Sequence, residues 1–378
     1  MKKYVTLGEI CTKGSSSIAQ KDIEQNNGIY GIYGASGYIK DVDFYHQEKP
    51  YIAIVKDGAG IGRTMLLPEK TSVIGTMQYL IPKETVCVYY LYYAVTYMNL
   101  AKYFTGATIP HIYFKDYQKE KLPLPSIEEQ RIIADNLRRA DRLIELCCAI
   151  LDKLDLLVKS RFIELFGEPI LNPKGWDMAT IGDIVTEVKY GTSRPAVDGG
   201  KYPYLRMNNL TYDGHLDLTD LKRIDIPDNE IEKCIVRKGD VLFNRTNSVE
   251  LVGKTCVFDE SEDMIIAGYI IRVRLKPVML PIVLSCFMNT DALKKKLRDM
   301  AKGAVNQANI NAQELQAINI YLPPLTLQQQ FATFVEQTDK SKFYTGKIRK
   351  IIRSVKNNEQ LCVFTDKTCL SAFCTGDC

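Results

Sequence analysis

Apolar residues recur along the chain in two different rhythms. From Ile133 the positions Ile133, Leu137, Ala140, Ile144, Cys147, Leu151, Leu154 and Val158 alternate strictly by four and three. That is a heptad seam held for more than three heptads, the pattern of a left-handed coiled coil rather than of a broad globular face. A helix from Ser126 to Phe166 would be about 60 Å long at 1.5 Å per residue, too long to be covered by one domain's core, so it requires a second long helix. Thr326 to about Asn357 supplies one, with Phe331, Val335, Thr338, Ile348, Ile352 and Val355 at compatible spacing and no proline inside. Its seam is weaker, because Lys342 and Arg349 fall where the first helix has Ile144 and Leu151. The predicted pair is antiparallel, and it holds two mixed domains apart.

The second rhythm is short and strand-like. Tyr51–Val55, Asp240–Phe243 and Met264–Val273 read as buried strands, Asp57-Gly58-Ala59-Gly60 as a turn, and Tyr33-Gly34-Ala35-Ser36-Gly37-Tyr38 as a loop. Val86–Met98 is apolar but too short to span a bilayer and carries five tyrosines, so it reads as a core helix. Residues 291–302 read as a basic helix.

These segments repeat after nearly half the chain. Leu7-Gly8-Glu9-Ile10 returns 174 residues on as Ile181-Gly182-Asp183-Ile184, and Ile61-Gly62-Arg63-Thr64 returns 191 on as Val252-Gly253-Lys254-Thr255. Gly106-Ala107 returns 197 on as Gly303-Ala304, and Leu124-Pro125-Ser126-Ile127 returns 198 on as Leu322-Pro323-Pro324-Leu325; Gln130, Ala134 and Asp141 map at the same 198 onto Gln328, Ala332 and Asp339. The common order and slowly drifting offset describe two copies of one unit with unequal loops. Both helix starts follow a proline-containing extended stretch, and the first has Ser126 with Glu129 three residues later, a capping box. Gly167 and Pro169 stop that helix. The expected fold is therefore α+β: two mixed α/β domains in tandem repeat, separated by two long helices pairing as an antiparallel coiled coil. Its divisions are 1–125, a helix at 126–166, 167–325, a helix at 326–358, and a Cys-rich, unstructured tail at 359–378.

Composition narrows the chemistry. A length of 378 residues allows two or three domains. Forty-nine Lys and Arg against 45 Asp and Glu leave a net charge of +4, which excludes a polycation and an acidic disordered chain. Eleven Cys diluted over this length, after a start (MKKYVTLGEI) whose apolar run Gly8 and Glu9 interrupt, suit a reduced cytoplasmic setting without a membrane. Three His without metal-ligand spacing argue against zinc, and the irregular spacing of Cys362, Cys369, Cys374 and Cys378 fits a tail better than a metal site.

Catalytic templates fail one by one. Gly58-Ala59-Gly60-Ile61-Gly62 follows a strand, but Pro68 comes too soon for a phosphate-binding helix. Gly253-Lys254-Thr255 imitates the end of a P-loop, yet Ser248 stands where its first glycine belongs. No Asn- or Asp-Pro-Pro-aromatic motif of an adenine methyltransferase occurs, and Asp183, Glu187 and Lys189 meet a metal-nuclease template only as common residues do. What remains suits nucleic-acid reading. Arg206, Asn208 and Asn209, with Asn244, Arg245, Thr246, Asn247 and Lys254, gather side chains that pair with base edges beside hydroxyls for phosphate. The first copy is sparser: Tyr33, Ser36, Lys56, Arg63, Lys102, Thr105, Thr108 and His111. Lys294-Lys295-Lys296-Leu297-Arg298 with Lys302 offers phosphate contact. Each segment taken singly fits a solvated helix face or an Asn-rich turn better than a site.

The arrangement as a whole resembles the specificity subunit of type I restriction-modification systems. The carriers are the two Leu/Ile-Gly-Glu/Asp-Ile starts, the LPLPSIEEQ and LPPLTLQQQFA helix starts, RKGDVLFNRTNS (Arg237–Ser248) followed by ELVGKT (Glu250–Thr255), and GATIPHI (Gly106–Ile112), over residues 1 to about 357. The resemblance implies two target-recognition domains, each reading half of a bipartite site in double-stranded DNA, with the helices as spacer and as dock for two adenine-N6 methyltransferase subunits, which recruit restriction and translocase subunits. It implies no catalysis and no cofactor in this chain; S-adenosylmethionine, ATP and Mg²⁺ would belong to the partners. Rival readings are a stand-alone DNA-binding regulator and a DNA-modifying enzyme in its own right.

Overall fold

The computed structural model describes residues 3–106, 110–301 and 308–365. The chain divides into two units, residues 1–149 with 346–378, and residues 150–345. Both are built to one plan, and each contains part of both long helices.

In the first unit an antiparallel sheet runs in the spatial order Cys11–Ser15, Met77–Pro82, Tyr51–Val55, Thr64–Leu67, beside a smaller sheet of Gly37–Val42, Tyr30–Gly34 and Ser72–Val73. Every residue of Tyr51–Val55 is buried, as a continuous apolar run at the centre of a sheet should be. The helix Val88–Met98 packs on this sheet with Tyr90, Leu91, Tyr93, Ala94 and Val95 inward. In the second unit the corresponding order is Val185–Tyr190, Ile270–Leu275, Val241–Asn244, Thr255–Val257, beside Lys222–Ile224, Tyr202–Leu205, Met264–Ile266 and Ile235–Val236. The expected single strand Met264–Val273 is thus two. Ala267-Gly268-Tyr269 turn the chain so that Met264–Ile266 pairs with Tyr202–Leu205 and Ile270–Leu275 with Val241–Asn244. An apolar run cannot reveal that break, because both pieces are equally buried.

The repeat extends to individual hydrogen bonds. In the first unit Gln130, 1% exposed, accepts from the Cys87 N–H at 2.8 Å and donates to the Thr85 and Pro125 carbonyls at 3.2 and 3.0 Å. In the second, Gln328, fully buried, accepts from the Leu280 N–H at 2.8 Å and donates to the Val278 and Pro323 carbonyls at 3.0 and 2.8 Å. Each glutamine clamps the start of its long helix to its own mixed domain. Lys83 donates to the Glu9 carbonyl and Lys276 to that of Asp183 in the same way.

The first long helix spans Ile127–Phe166. It starts at the Ser126–Glu129 capping box, in which the Ser126 N–H donates to the Glu129 carboxylate at 2.9 Å and the Glu129 N–H to Ser126 Oγ at 3.3 Å. It stops at Gly167, where φ is +85°. The second spans Leu325–Phe364, six residues beyond the expected end at 358. Phe364 is buried against Tyr90 and Tyr97, at ring separations of 5.5 and 5.6 Å, so an apolar anchor in the first unit holds a turn that composition assigned to the tail. Cys369, Cys374 and Cys378 lie outside the described residues.

The helices pair antiparallel within each unit. In the first, Asp141 meets Lys356 at 2.5 Å, Cys148 meets Arg349 at 3.5 Å, and Asn136 meets Glu359 at 3.4 Å. In the second, Asp155 meets Lys342 at 2.6 Å, and Phe162 and Phe166 lie edge-on to Phe331 at 5.6 and 5.4 Å. Leu137 and Val158 are buried in the seam and Ile133, Ile144, Leu151 and Leu154 half-buried, as is Ile352, while Val335 is buried. Ile348 and Val355 are not in the seam. They are 52% and 44% exposed, because the heptad that begins at Phe331 and Val335 continues unbroken through Lys342, Arg349, Ile352 and Lys356 instead of shifting to meet the nearest aliphatics. At Lys342, carboxylates on both helices make this tolerable: burial would lower its pKa, but the hydrogen bond to Asp155 on the first helix and the charges of Asp339 on its own helix and of Asp155 hold it above the ordinary lysine value.

Candidate nucleic-acid interface

Each unit presents a glycine-containing turn after its central strand, and the turn is braced from below. In the second unit Asn244 ends the strand Val241–Asn244. It is fully buried; its amide donates to the Thr246 and Tyr269 carbonyls at 3.2 and 3.1 Å, and its oxygen accepts from Asn247 at 3.0 Å. Thr246, 7% exposed, donates to Asn309 Oδ1 at 2.9 Å across the short pairing of Thr246-Asn247 with Ala308-Asn309. Asn244 and Thr246 are therefore buried and shape the turn, where positions facing outward to DNA were expected. Arg245 points differently. It is half-buried, its guanidinium lies over the Tyr190 ring at 4.8 Å, and its Nε has no hydrogen-bond partner. Asn247 is half-buried and Ser248 exposed beside it.

The Arg206 segment splits likewise. Asn209 is 2% exposed and structural, accepting from the Arg206 N–H at 2.8 Å and donating to the Asp217 carbonyl at 2.8 Å, whereas Asn208 is exposed. Arg206 is already engaged by Asp220 at 2.7 Å. Burying a polar side chain demands such partners, and a string of Arg and Asn codes cannot show which of its members have them.

Lys254 and Lys294 are the largest departure from expectation. They are 8% and 3% exposed. Lys294 donates to the Gly253 carbonyl at 2.8 Å and lies over the Tyr212 ring at 4.9 Å. Burial, then the charges of Lys254, Arg298 and Lys159, push the Lys294 pKa down to about 7, against the one raising charge of Asp213. Burial also lowers that of Lys254. Lys294 braces the turn at Gly253 from the helix Asp291–Met300, and Lys254 is buried in the turn itself, where solvent-facing cations were expected. Gly253 itself, at φ +80°, sits so close to Leu297 that a Cβ would meet its Cδ1 at 2.6 Å. Lys302 lies outside the described residues.

In the first unit the turn is held by Gly62, at φ +79°, whose missing Cβ leaves room for the Ala101 N–H. Arg63, exposed, donates to the Ala35 carbonyl at 3.1 Å, which ties the turn to the tip of the hairpin Tyr30–Gly34/Gly37–Val42, where a plain loop at Tyr33–Tyr38 was expected. Tyr33 is half-buried against the exposed Tyr38, and Ser36 is exposed. Asp57 bonds His111 and also pairs with Lys56 at 3.6 Å. Thr105 and His111 exchange backbone hydrogen bonds at 2.8 and 2.9 Å. The Asp57–His111 bridge occupies the place that the Thr246-Asn247 pairing occupies in the second unit. Lys102 is bound to Glu120. Thr108 lies outside the described residues.

Two contacts escaped sequence reasoning. Tyr190 under Arg245 is joined only by sheet register, and Asn309 under Thr246 only by tertiary pairing. Asp183, weighed against a nuclease template, instead caps its helix turn: Thr180 donates to its carboxylate at 2.8 and 2.7 Å. Glu187 pairs with Arg272, Arg274 and Lys189. Among the described residues Asp155, Asp213 and His215 bring potential ligand atoms within 4.8 Å of one another, but Lys342 already neutralises Asp155 at 2.6 Å.

Residues 2–156 and 173–353 both match the type I restriction modification DNA specificity domain. The chain belongs to this family. It is 24% identical over 249 residues to the EcoKI type I restriction enzyme specificity subunit of Escherichia coli, covering 61% of this chain and 53% of that one. It is 32% identical over 156 residues to the MjaIX specificity subunit of Methanocaldococcus jannaschii, covering 35% of each. The chain spans about half the length of the first curated relatives it matches. In fold it resembles the type I restriction-modification S subunit of M. genitalium, with a TM-score of 0.62 at 15% identity over 97% of both chains. Among the described residues no helix of this family member is long and apolar enough to cross a membrane.

Proposed function

We propose that this chain is the non-catalytic DNA-recognition subunit of a type I restriction-modification complex, each unit reading one half of a bipartite site. The observation that carries this reading is the pair of equivalent turns on one duplicated scaffold, armed differently: Arg245 over Tyr190 with Asn247 and Ser248 in one, Arg63 with Tyr33, Ser36 and the Asp57–His111 bridge in the other. Shared scaffold with unlike side chains is what two half-sites of different sequence require, since phosphate contacts position a reader and base contacts specify it.

The helices serve as spacer and as dock for two adenine-N6 methyltransferase subunits, through which restriction and translocase subunits join. Leu143, Ile150 and Leu157 recur every seven residues on the first helix and are 49%, 46% and 47% exposed. Tyr344, Ile348, Ile351 and Val355 form a second exposed stripe on the other helix. Such heptad-spaced apolar surface beside a filled seam calls for further helices. S-adenosylmethionine, ATP and Mg²⁺ belong to those partners, and the complex works in the cytoplasm. The test is co-expression with the methyltransferase subunit and mapping of adenine methylation. A bipartite methylated motif that vanishes without this chain supports the reading, and methylase or nuclease activity of the isolated chain refutes it.

A further inference from the structure

Three rungs at heptad spacing join the helices, each carrying a cation from the second helix to the first. Lys356 meets Asp141 and Arg349 meets Cys148 in the first unit, and Lys342 meets Asp155 in the second. The cations stand seven residues apart, and so do their partners. Two rungs end on a carboxylate. The one at Arg349 ends on a thiol, with Nη1 reaching Cys148 Sγ at 3.5 Å and a buried Nε that has no partner. A guanidinium that cannot lose its proton is left in the seam without an anion, a costly arrangement unless something completes it.

The surface around it says what that something is. From Gly346 to Asn358 the second helix carries Lys347, Arg349, Lys350, Arg353 and Lys356 and no acidic residue. Between these stand the exposed Ile348, Ile351 and Val355, with Leu143 and Leu146 exposed on the first helix at the same level. A nucleic acid would use the cations and leave the aliphatics in water. A second copy of this chain would bring like charge against like. An amphipathic helix bearing both aliphatic and acidic side chains uses everything the face offers.

We propose that Arg349 is the specificity-determining contact of the docking face in the first unit, completed by an Asp or Glu on an acidic amphipathic helix of the methyltransferase subunit. The proposal rests on the docking reading above and adds the chemistry of the contact. Arg349 donates its guanidinium N–H groups to that carboxylate, bidentately, while the flanking aliphatics exclude water.

The experiment measures assembly of the full chain with the co-expressed methyltransferase subunit by sedimentation and titration calorimetry, together with the thermal stability of the chain alone. Arg349→Met weakens assembly by about tenfold to a hundredfold, the loss of a charged hydrogen bond, without lowering the stability of the lone chain. Cys148→Asp completes the rung internally; it stabilises the lone chain and weakens assembly. Arg349→Glu abolishes assembly, and an Asp or Glu to Lys change in the partner's docking helix restores it. Leu146→Asp serves as the control for docking itself. Assembly lost in Leu146→Asp but unchanged within twofold in both Arg349→Met and Cys148→Asp overturns the proposal and leaves the docking reading standing. Assembly that also ignores Leu146→Asp overturns both. A self-dimer split by Leu146→Asp, or duplex DNA that displaces the methyltransferase subunit from this face, assigns the face to another occupant and likewise overturns it.

Discussion

Lys294→Met is the sharpest available test of how the turn at Gly253 in the second unit is braced. The lysine is 3% exposed, has Lys254, Arg298 and Lys159 as neighbours, and titrates at about 7 rather than near 10.5. A lysine whose folded pKa lies below its unfolded one destabilises the fold most where both states are charged, below pH 7. Between about pH 7 and 10.5 the unfolded chain binds the extra proton, so stability rises with pH. At 1.36 kcal/mol per pKa unit the charged lysine costs about 5 kcal/mol at pH 6 and about 2 kcal/mol at pH 9. Methionine removes that cost and keeps the volume, but strands the Gly253 carbonyl that Lys294 satisfies at 2.8 Å, at about 1 kcal/mol. The net expectation is a gain of about 4 kcal/mol at pH 6, shrinking to about 1 kcal/mol at pH 9. The assay is already in the sequence. Trp176 is the one tryptophan, packs on the core of the second unit and donates to the Phe166 carbonyl, so urea unfolding followed by its fluorescence reports that unit alone. A difference between variant and parent that stays constant from pH 6 to 9, or a variant less stable at pH 6, refutes the account.

Other outcomes follow from the same geometry. Gln130→Ala and Gln328→Ala each remove three buried hydrogen bonds and should cost about 3 kcal/mol or more; the Trp176 signal should register only the second. Asn244→Ala should lower the melting temperature by the loss of a fully buried hub, whereas Arg245→Ala should leave it nearly unchanged and relax the methylated motif at one base position, by about 1–3 kcal/mol of discrimination. Methylome sequencing separates the two, and an unchanged motif with Arg245→Ala removes that residue from the reading surface. Ile352→Asp, in the seam, should unfold the helix pair by circular dichroism, while Ile348→Asp, one turn away and exposed, should leave it intact and block assembly.

Much of the architecture was legible because it is written in period and repetition. The seam from Ile133 to Val158, the Ser126–Glu129 box and the Gly167 stop are local devices whose geometry follows from spacing. Gln130 and Gln328 were visible only as repeat positions, and their clamp explains why both copies carry them. The site was less legible, because the residues proposed to read DNA and the turn-building residues draw on the same alphabet. Asn247 and Asn244 differ by burial, not by type. The second helix misled for a related reason: aliphatics at 348 and 355 look like seam residues until Asp141 and Asp155 show that charged layers keep the register. The turn at Phe364 was hidden because its anchor, Tyr90, is more than 270 positions away.

That anchor also sets an order of events during synthesis. Residues 150–345 form a continuous stretch, and the unit they build has all its material once position 345 has left the ribosome. The other unit takes its sheets from residues made before that stretch yet needs 346–364 to close over Tyr90 and Tyr97. The half of the chain translated first is therefore the last that can finish folding, and its apolar helix face waits throughout for a segment still being made. A frameshift just before Phe364 would injure the unit whose sheets are encoded farther upstream and spare the nearer one.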